Sequence, residues 1–319
     1  MNVMDAAAGH VPVLRESVIR TLAPAPGESA VDLTAGRGGH AEDIARRISP
    51  GGSLLVCDLD RGNLDHASDR ARAVPGVTVH AFHGNFALAD REAARLGLAA
   101  DCVLADLGFA STQMDDPGRG FSFQAEGPLD MRLDRSRGES AAELLARLPE
   151  RDLADAIFRL GEDPFARRIA REVADRRVRQ PIVTTTELAA AVVAAYGSRA
   201  RQSRMHPATR TFMALRILVN DELRALEGLL AGLEAGGRQA AQGKGGWIRP
   251  GCRAGVISFH SLEDRMVKQA MAAWEAAGIG ERLTRKPVEP TDAEVFANRR
   301  ARSAKLRVFR FGTVAAPGV

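Results

Sequence analysis

The polar residues best placed to do chemistry in this chain stand where apolar runs end. Val31-Asp32-Leu33 runs into Thr34-Ala35-Gly36-Arg37-Gly38-Gly39-His40, so that an acid and a glycine cluster separate a short apolar run from a helical pattern. Glycine adopts turn angles closed to other residues and lets the backbone approach a ligand without an intervening Cβ. Strand, tight turn and helix N-terminus, in that order, form the element that cradles nucleotide-like groups in doubly wound α/β proteins. Further along, Asp58 closes a second apolar run, Asn85-Phe86 follow a third, Asp106 closes a fourth and His260 follows a later one. In open α/β sheets ligands bind at the carboxyl ends of strands, which gathers these residues around one crevice. The glycine turn offers backbone donors, Asp58 an acceptor for ribose hydroxyls, Phe86 a flat apolar face and Asp106 a second carboxylate. That set suits S-adenosylmethionine, whose sulfonium and amino groups are cationic. A nicotinamide dinucleotide uses Asp58 equally well, and Gly36, Gly38 and Ala41 meet its looser fingerprint. It also requires a pyrophosphate at the helix N-terminus and a pocket for the nicotinamide, which nothing in the sequence predicts.

A sheet must hold these residues in place. Ser29–Leu33, Ser53–Asp58, Val77–Ala81 and Asp101–Asp106 read as strands, alternating with helices over roughly 39–48, 61–73 and 87–96. This alternation predicts right-handed βαβ units and a mostly parallel sheet, to which Ala254–Phe259 and Leu306–Phe311 add two strands. From about Asp115 to Met205 the alternation stops and helical signals take over. Asp163-Pro164 reads as a helix start ahead of Phe165, Ile169 and Val173, and Thr184 with Glu187 as a capping box. The expected organisation is an α/β domain of residues 1–114 and 206–319, interrupted by a helical substrate-recognition domain of residues 115–205. From Pro207, the stripe Phe212, Leu215, Val219, Leu223, Leu226, Leu230 and Leu233 predicts one long helix ended by Gly236-Gly237. Ser261 reads as the N-cap of a later helix, with Glu263 and Asp264 in its first turn. His260 beside it either orients a substrate or caps that turn. The Gly-x-Ser-x-Gly elbow of a hydrolase is absent around Ser261.

Composition narrows the class. An apolar content of 45% and a charged content of 26% over 319 residues are those of a globular protein. No apolar run is long enough to span a bilayer, and residues 1–10 lack the pattern of a secretory signal. Cys57, Cys102 and Cys252 are widely spaced in apolar contexts, fitting neither a metal site nor a disulfide framework. Asp115-Asp116 and Asp130 read as turn and cap residues, so no metal is expected. A cytoplasmic location follows as the expectation. The net charge of +4 is carried almost wholly by arginine, with lysine only at 244, 268, 286 and 305. Arginine binds phosphate bidentately and stacks on bases, which suits RNA. Arg167, Arg168, Arg171, Arg176, Arg177, Arg179, Arg199, Arg201 and Arg204 form either an RNA-docking surface or ordinary solvated helix faces. Arg299, Arg300 and Arg302 invite the same comparison.

Longer motifs are more specific. His10-Val11-Pro12-Val13-Leu14, Arg119-Gly120-Phe121-Ser122-Phe123 with Gly127-Pro128-Leu129-Asp130-Met131-Arg132, His206-Pro207-Ala208-Thr209-Arg210-Thr211-Phe212, Ile257-Ser258-Phe259-His260-Ser261-Leu262-Glu263-Asp264-Arg265 and Ala301–Arg307 occur in this order. On these motifs, which span nearly the whole chain, the sequence resembles the bacterial small-subunit ribosomal RNA methyltransferase H family (RsmH/MraW). The resemblance implies a Rossmann-like class I methyltransferase domain with an inserted helical domain, S-adenosyl-L-methionine as cofactor, and methylation of the exocyclic N4 of a cytidine in the decoding region of small-subunit (16S) ribosomal RNA, within the assembled subunit. It also implies cofactor contacts at Gly38, Gly39, His40, Asp58, Phe86, Asp106 and Gln113. Two departures stand out. Phe109-Ala110-Ser111-Thr112-Gln113 replaces a usual Val-Ser-Ser-Pro-Gln, and Cys252 replaces a turn glycine. Many amino-methyltransferases carry an Asn/Asp/Ser-Pro-Pro-aromatic motif after the fourth strand, where this chain has Asp106-Leu107-Gly108-Phe109. Asp106 with neighbouring carbonyls is therefore the candidate for holding the amino hydrogens, and Ser111 a lesser one.

Overall fold

The computed structural model describes residues 12–312, so His10 and Val11 of the first motif lie outside the described residues. The strands β1 (Ser29–Asp32), β2 (Gly52–Asp58), β3 (Val77–His83), β4 (Ala100–Asp106), β5 (Ile248–Ser258), β6 (Gly280–Arg282) and β7 (Lys305–Phe311) form one sheet in the order β3-β2-β1-β4-β5-β7-β6. The first five are mutually parallel, and β7 runs antiparallel between β5 and β6. Alternate strand residues feed two cores. Val31, Leu55, Cys57 and Val103 pack on one face, and Ala30, Leu54, Val56 and Leu104 on the other. Burial on both faces explains why the strands read as unbroken apolar runs rather than as alternating ones.

The chain divides into two compact units, one of Met1–Gly108 with Arg224–Val319 and one of Phe109–Leu223. In the first, α1 (Arg15–Leu22), α2 (Gly39–Ile48), α3 (Arg61–Arg72) and α4 (Ala89–Arg95) accompany the early strands, and α11 (Glu222–Ala241), α12 (Ser261–Ala276) and α13 (Asp292–Ala297) the later ones. The second holds α5 (Ser111–Asp115), α6 (Ala141–Arg147), α7 (Glu150–Gly161), α8 (Ala166–Arg179), α9 (Thr185–Tyr196) and α10 (Ala208–Asn220) around its own core of Leu145, Leu153, Ile157, Ile169, Val173, Leu188, Val192 and Leu215. It therefore takes in α10 and is wider than the 115–205 segment. The Thr184–Glu187 capping box is present as read.

Several elements differ from the sequence reading. The long helix from Pro207 is two, broken at Asp221, which takes the left-handed conformation at φ 51°. The neighbouring Asn220 side chain explains the break. Its Nδ2 donates to the Met131 and Arg216 carbonyls at 2.8 and 2.9 Å, and its Oδ1 accepts from Leu133 N–H at 2.8 Å. A side chain that bonds the backbone in this way competes with the helical ladder. Gly236 and Gly237 do not end α11; they are buried in it. A Cβ on Gly237 would lie 2.2 Å from Phe311 Cδ1 and one on Gly236 2.7 Å from Trp247 Nε1, so the pair serves close packing. Asp163 sits two residues before the N-cap, Phe165: its Oδ1 accepts from Phe165 N–H at 2.9 Å and α8 begins at Ala166. β5 starts at Ile248 and bulges, pairing Ala100 with Ile248 but Cys102 with Arg253. That bulge carries Cys252 into the core.

Candidate functional site

β1 has β2 on one side and β4 on the other, so the strand order reverses beside it, the place where open α/β sheets open a crevice at their carboxyl ends. The glycine turn leaves β1 at that point and is stitched to both neighbours. Leu33 N–H donates to Leu104 O and Ala35 N–H to Cys57 O, each at 2.9 Å. Gly38, at φ 76°, is the N-cap of α2, and a Cβ there would lie 2.6 Å from Ala67 Cα of α3. Arg70 Nη1 holds the outer side of the turn through the Arg37 carbonyl at 2.8 Å.

Asp58 ends β2 with both carboxylate oxygens in use: Oδ2 accepts from Gly36 N–H and Oδ1 from Asp60 N–H, each at 2.8 Å. It thus fixes the glycine turn as well as facing the crevice. Burial pushes its carboxyl up to about 6, against the pull of those two N–H groups. Asp106 ends β4. Its N–H donates to Thr34 Oγ1 at 2.6 Å, its Oδ2 lies 3.8 Å from His40 Nε2, and its Oδ1 accepts no hydrogen bond among the described residues. Burial, reinforced by the nearby Asp32 and Glu263, raises its carboxyl well above the ordinary range. Phe86 opens the short turn after β3 and packs partly into the core, beneath the Asn85 side chain's bond to Ala87 N–H at 2.9 Å.

Asp32 belongs with this group, although the sequence reading places it in the first strand and gives it no role in the site. The strand-end rule that singles out Asp58 and Asp106 applies to it equally. It is 1% exposed, Oδ1 accepts from Thr34 N–H at 3.3 Å, and Oδ2 has no hydrogen-bond partner among the described residues. Burial and then Asp58 push its carboxyl up to about 7. The folded state therefore keeps a proton that the unfolded chain loses near pH 4. This contribution is fully present below that pH and fades as pH rises through about 7, by about 4 kcal/mol in all. Asp32→Asn is expected to remove the slope, so that its stability advantage over wild type in urea unfolding grows between pH 5 and pH 8. Parallel profiles would refute the assignment.

Of the two readings of His260 the structure shows the cap, in the place expected for Ser261. His260 is the N-cap of α12: its Nδ1 accepts from Glu263 N–H at 3.4 Å, while Glu263 Oε2 accepts from Phe259 N–H at 2.9 Å. Imidazole can serve as that acceptor, and Ser261 becomes the first helical residue. Gln113 lies in the helical unit, where its Oε1 accepts from Ala110 N–H at 2.8 Å. Ser111 begins α5, and its side chain lies outside the described residues. The three cysteines are buried and unpaired, and burial raises each thiol, the state of a small inert hydrophobe.

The arginine run separates into types. Arg177 is structural, with Nη1 donating to the Leu145 and Leu148 carbonyls at 2.5 and 2.6 Å. Arg176 pairs with Glu172 at 2.7 Å, while Arg168 and Arg199 flank the Phe165 ring. Arg167, Arg179, Arg201 and Arg204 are exposed without an ion pair among the described residues. In the Arg119–Arg132 motif, Arg119 Nη2 donates to the Arg132 and Leu133 carbonyls at 3.0 and 2.9 Å, and Asp130 accepts from Arg132 Nε at 2.8 Å. The motif folds a loop onto itself.

The arrangement around β1 offers backbone donors at a left-handed turn and an edge of three acids, two with buried oxygens awaiting a donor. Such an edge favours a cationic ligand. The profile of the MraW methylase family matches residues 7–312. The chain is 48% identical over 302 residues to the protein named ribosomal RNA small subunit methyltransferase H in Sorangium cellulosum (strain So ce56), covering 94% of this chain and 90% of that one. It is 44% identical over 309 residues to the protein of the same name in Synechococcus sp. (strain JA-3-3Ab), covering 94% of each.

Proposed function

The chain belongs to the MraW methylase family, and from that premise we propose that it methylates the exocyclic N4 of a cytidine in the decoding region of small-subunit (16S) ribosomal RNA, with S-adenosylmethionine as donor. The observation that carries the donor assignment is the acid edge, where Asp32 Oδ2 and Asp106 Oδ1 are buried without a hydrogen-bond partner beside a turn tied to Asp58. When bound, S-adenosylmethionine supplies a methyl group on a cationic sulfur. Gly38 and Gly39 would present the close backbone, Asp58 would accept from ribose hydroxyls, Phe86 would lie against the adenine, and His40 and Asp106 would complete the edge. The last contact implied by the resemblance, Gln113, is carried by the helical unit. A cation beside Asp32 and Asp106 stabilises their ionised forms and offsets the cost of burial.

Cytosine N4 is a weak nucleophile because its lone pair delocalises into the ring. The chain's contribution is therefore alignment and an acceptor for the amino hydrogens. Asp106 Oδ1, at the carboxyl end of β4, is that acceptor. The target base must leave its stack to reach it, and the exposed arginines supply the contacts to phosphate. The substrate is the assembled small subunit, and the protein is cytoplasmic; no helix among the described residues is long and apolar enough to cross a membrane. The test is to incubate the protein with labelled S-adenosylmethionine and small subunits lacking the modification, then to map the label by nucleoside analysis. N4-methylcytidine at one position is expected, with binding that weakens steeply as salt rises. Label on another base, on protein, or nowhere would overturn the proposal.

A further inference from the structure

We infer that Phe296 and the arginines after it form a stacking platform for single-stranded RNA; the inference rests on the RNA-substrate reading above. Phe296 lies on α13 and is 91% exposed. Its helix is capped at its N-terminus. Thr291 Oγ1 accepts from Glu294 N–H at 3.2 Å, and Glu294 Oε2 accepts from Thr291 N–H at 2.8 Å. These mutual caps occupy Glu294. After α13, Asn298 Oδ1 accepts from Arg300 N–H at 3.1 Å and starts the short helical turn Arg299–Ser303. Ala301 and Ala304 of this segment are buried in the core, which leaves Arg299, Arg300 and Arg302 exposed. Arg299 and Arg302 make no ion pair among the described residues.

The surroundings identify the kind of partner. Between residues 285 and 305 six basic side chains (Arg285, Lys286, Arg299, Arg300, Arg302, Lys305) face three acidic ones (Glu289, Asp292, Glu294). Phe296 is the one large apolar side chain exposed in that stretch. A protein interface core calls for contiguous apolar area, and this surface has a single ring. Single-stranded RNA calls for one aromatic face per base and cations spaced along the backbone. Every base has a π-face, and guanidinium groups bind phosphate or stack in turn.

The test uses the full chain and a short unstructured RNA oligonucleotide. The fluorescence of Phe296→Trp is expected to be quenched on titration. Phe296→Ala should weaken binding about tenfold, Phe296→Leu should weaken it equally, and Phe296→Tyr should bind as wild type does. All four should melt together, because the side chain supports no core. Arg299→Ala with Arg302→Ala should reduce the slope of log affinity against log salt by about 1.4, the share of two single-strand phosphate contacts. Equal affinity of wild type and Phe296→Ala, or full rescue by leucine, would overturn the platform while leaving the substrate reading intact. Failure of the wild-type chain to bind the oligonucleotide would likewise overturn the platform, while the substrate reading stands or falls by the labelling of small subunits.

Discussion

Replacing Asp106 by asparagine is expected to lower kcat by about 10²-fold or more, while the fold melts no lower than wild type. Asparagine keeps the shape of the side chain and the backbone N–H that Thr34 Oγ1 receives. It removes the acceptor charge that an attacking amino group would use, and with it one of the charges expected to face a cationic donor. Stability should hold or rise, because burial disfavours the ionised carboxylate that asparagine eliminates. A second readout separates the chemistry from structure. Burial raises this carboxyl in the free wild-type chain, and a cation bound beside it lowers it again. Calorimetry in buffers of different ionisation heat should therefore show proton release on S-adenosylmethionine binding, reduced in Asp106→Asn. Unchanged turnover at saturating donor would eliminate Asp106 from the chemistry.

Gly38→Ala is expected to destabilise the fold by about 3 kcal/mol and to weaken donor binding with it. A left-handed residue with a side chain costs about 1–2 kcal/mol, and forcing a methyl into packed structure about 1–3 more. Here that methyl would lie 2.6 Å from the Ala67 Cα. Backbone on a helix yields less readily than a side-chain tip. Gly97→Ala is the matched control, since its φ of 65° is also left-handed but no atom lies within 4 Å of the added Cβ. It should cost about 1 kcal/mol. Urea unfolding with unchanged slopes would measure both. Equal losses would mean that the closeness of α3 has no part in requiring glycine at position 38.

Parallel alternation was legible because each strand is covered on both faces and so reads as an unbroken apolar run between glycines and acids. The same rule singled out Asp58 and Asp106 as candidates, since polar groups at strand ends have few other reasons to follow such runs. What sequence could not convey was the competition among local partners. Asp221 breaks a helix because Asn220 bonds the Met131 carbonyl and the Leu133 N–H of a distant loop, and no periodicity along the helix reveals those partners. Gly236-Gly237 carried the signature of a helix end, yet a ring from β7 and an indole claim that space. His260 took the capping role of Ser261, because an imidazole nitrogen and a serine hydroxyl satisfy the same N–H. β6, three residues long, lacked enough length to show a pattern. Asp32 was visible as an acid, but its missing hydrogen-bond partner is a property of its surroundings alone.

The sheet is assembled from two stretches of chain that lie far apart in the sequence. During synthesis, β1 to β4 emerge well before β5, and until residues 248–258 arrive the nascent β4 has one unpaired edge. An open edge on an apolar strand invites pairing with another chain. The intervening helical unit, with a core of its own, can fold in that interval. Completion of the sheet then waits on the last quarter of the polypeptide, which makes translation pauses before β5 the point of greatest aggregation hazard.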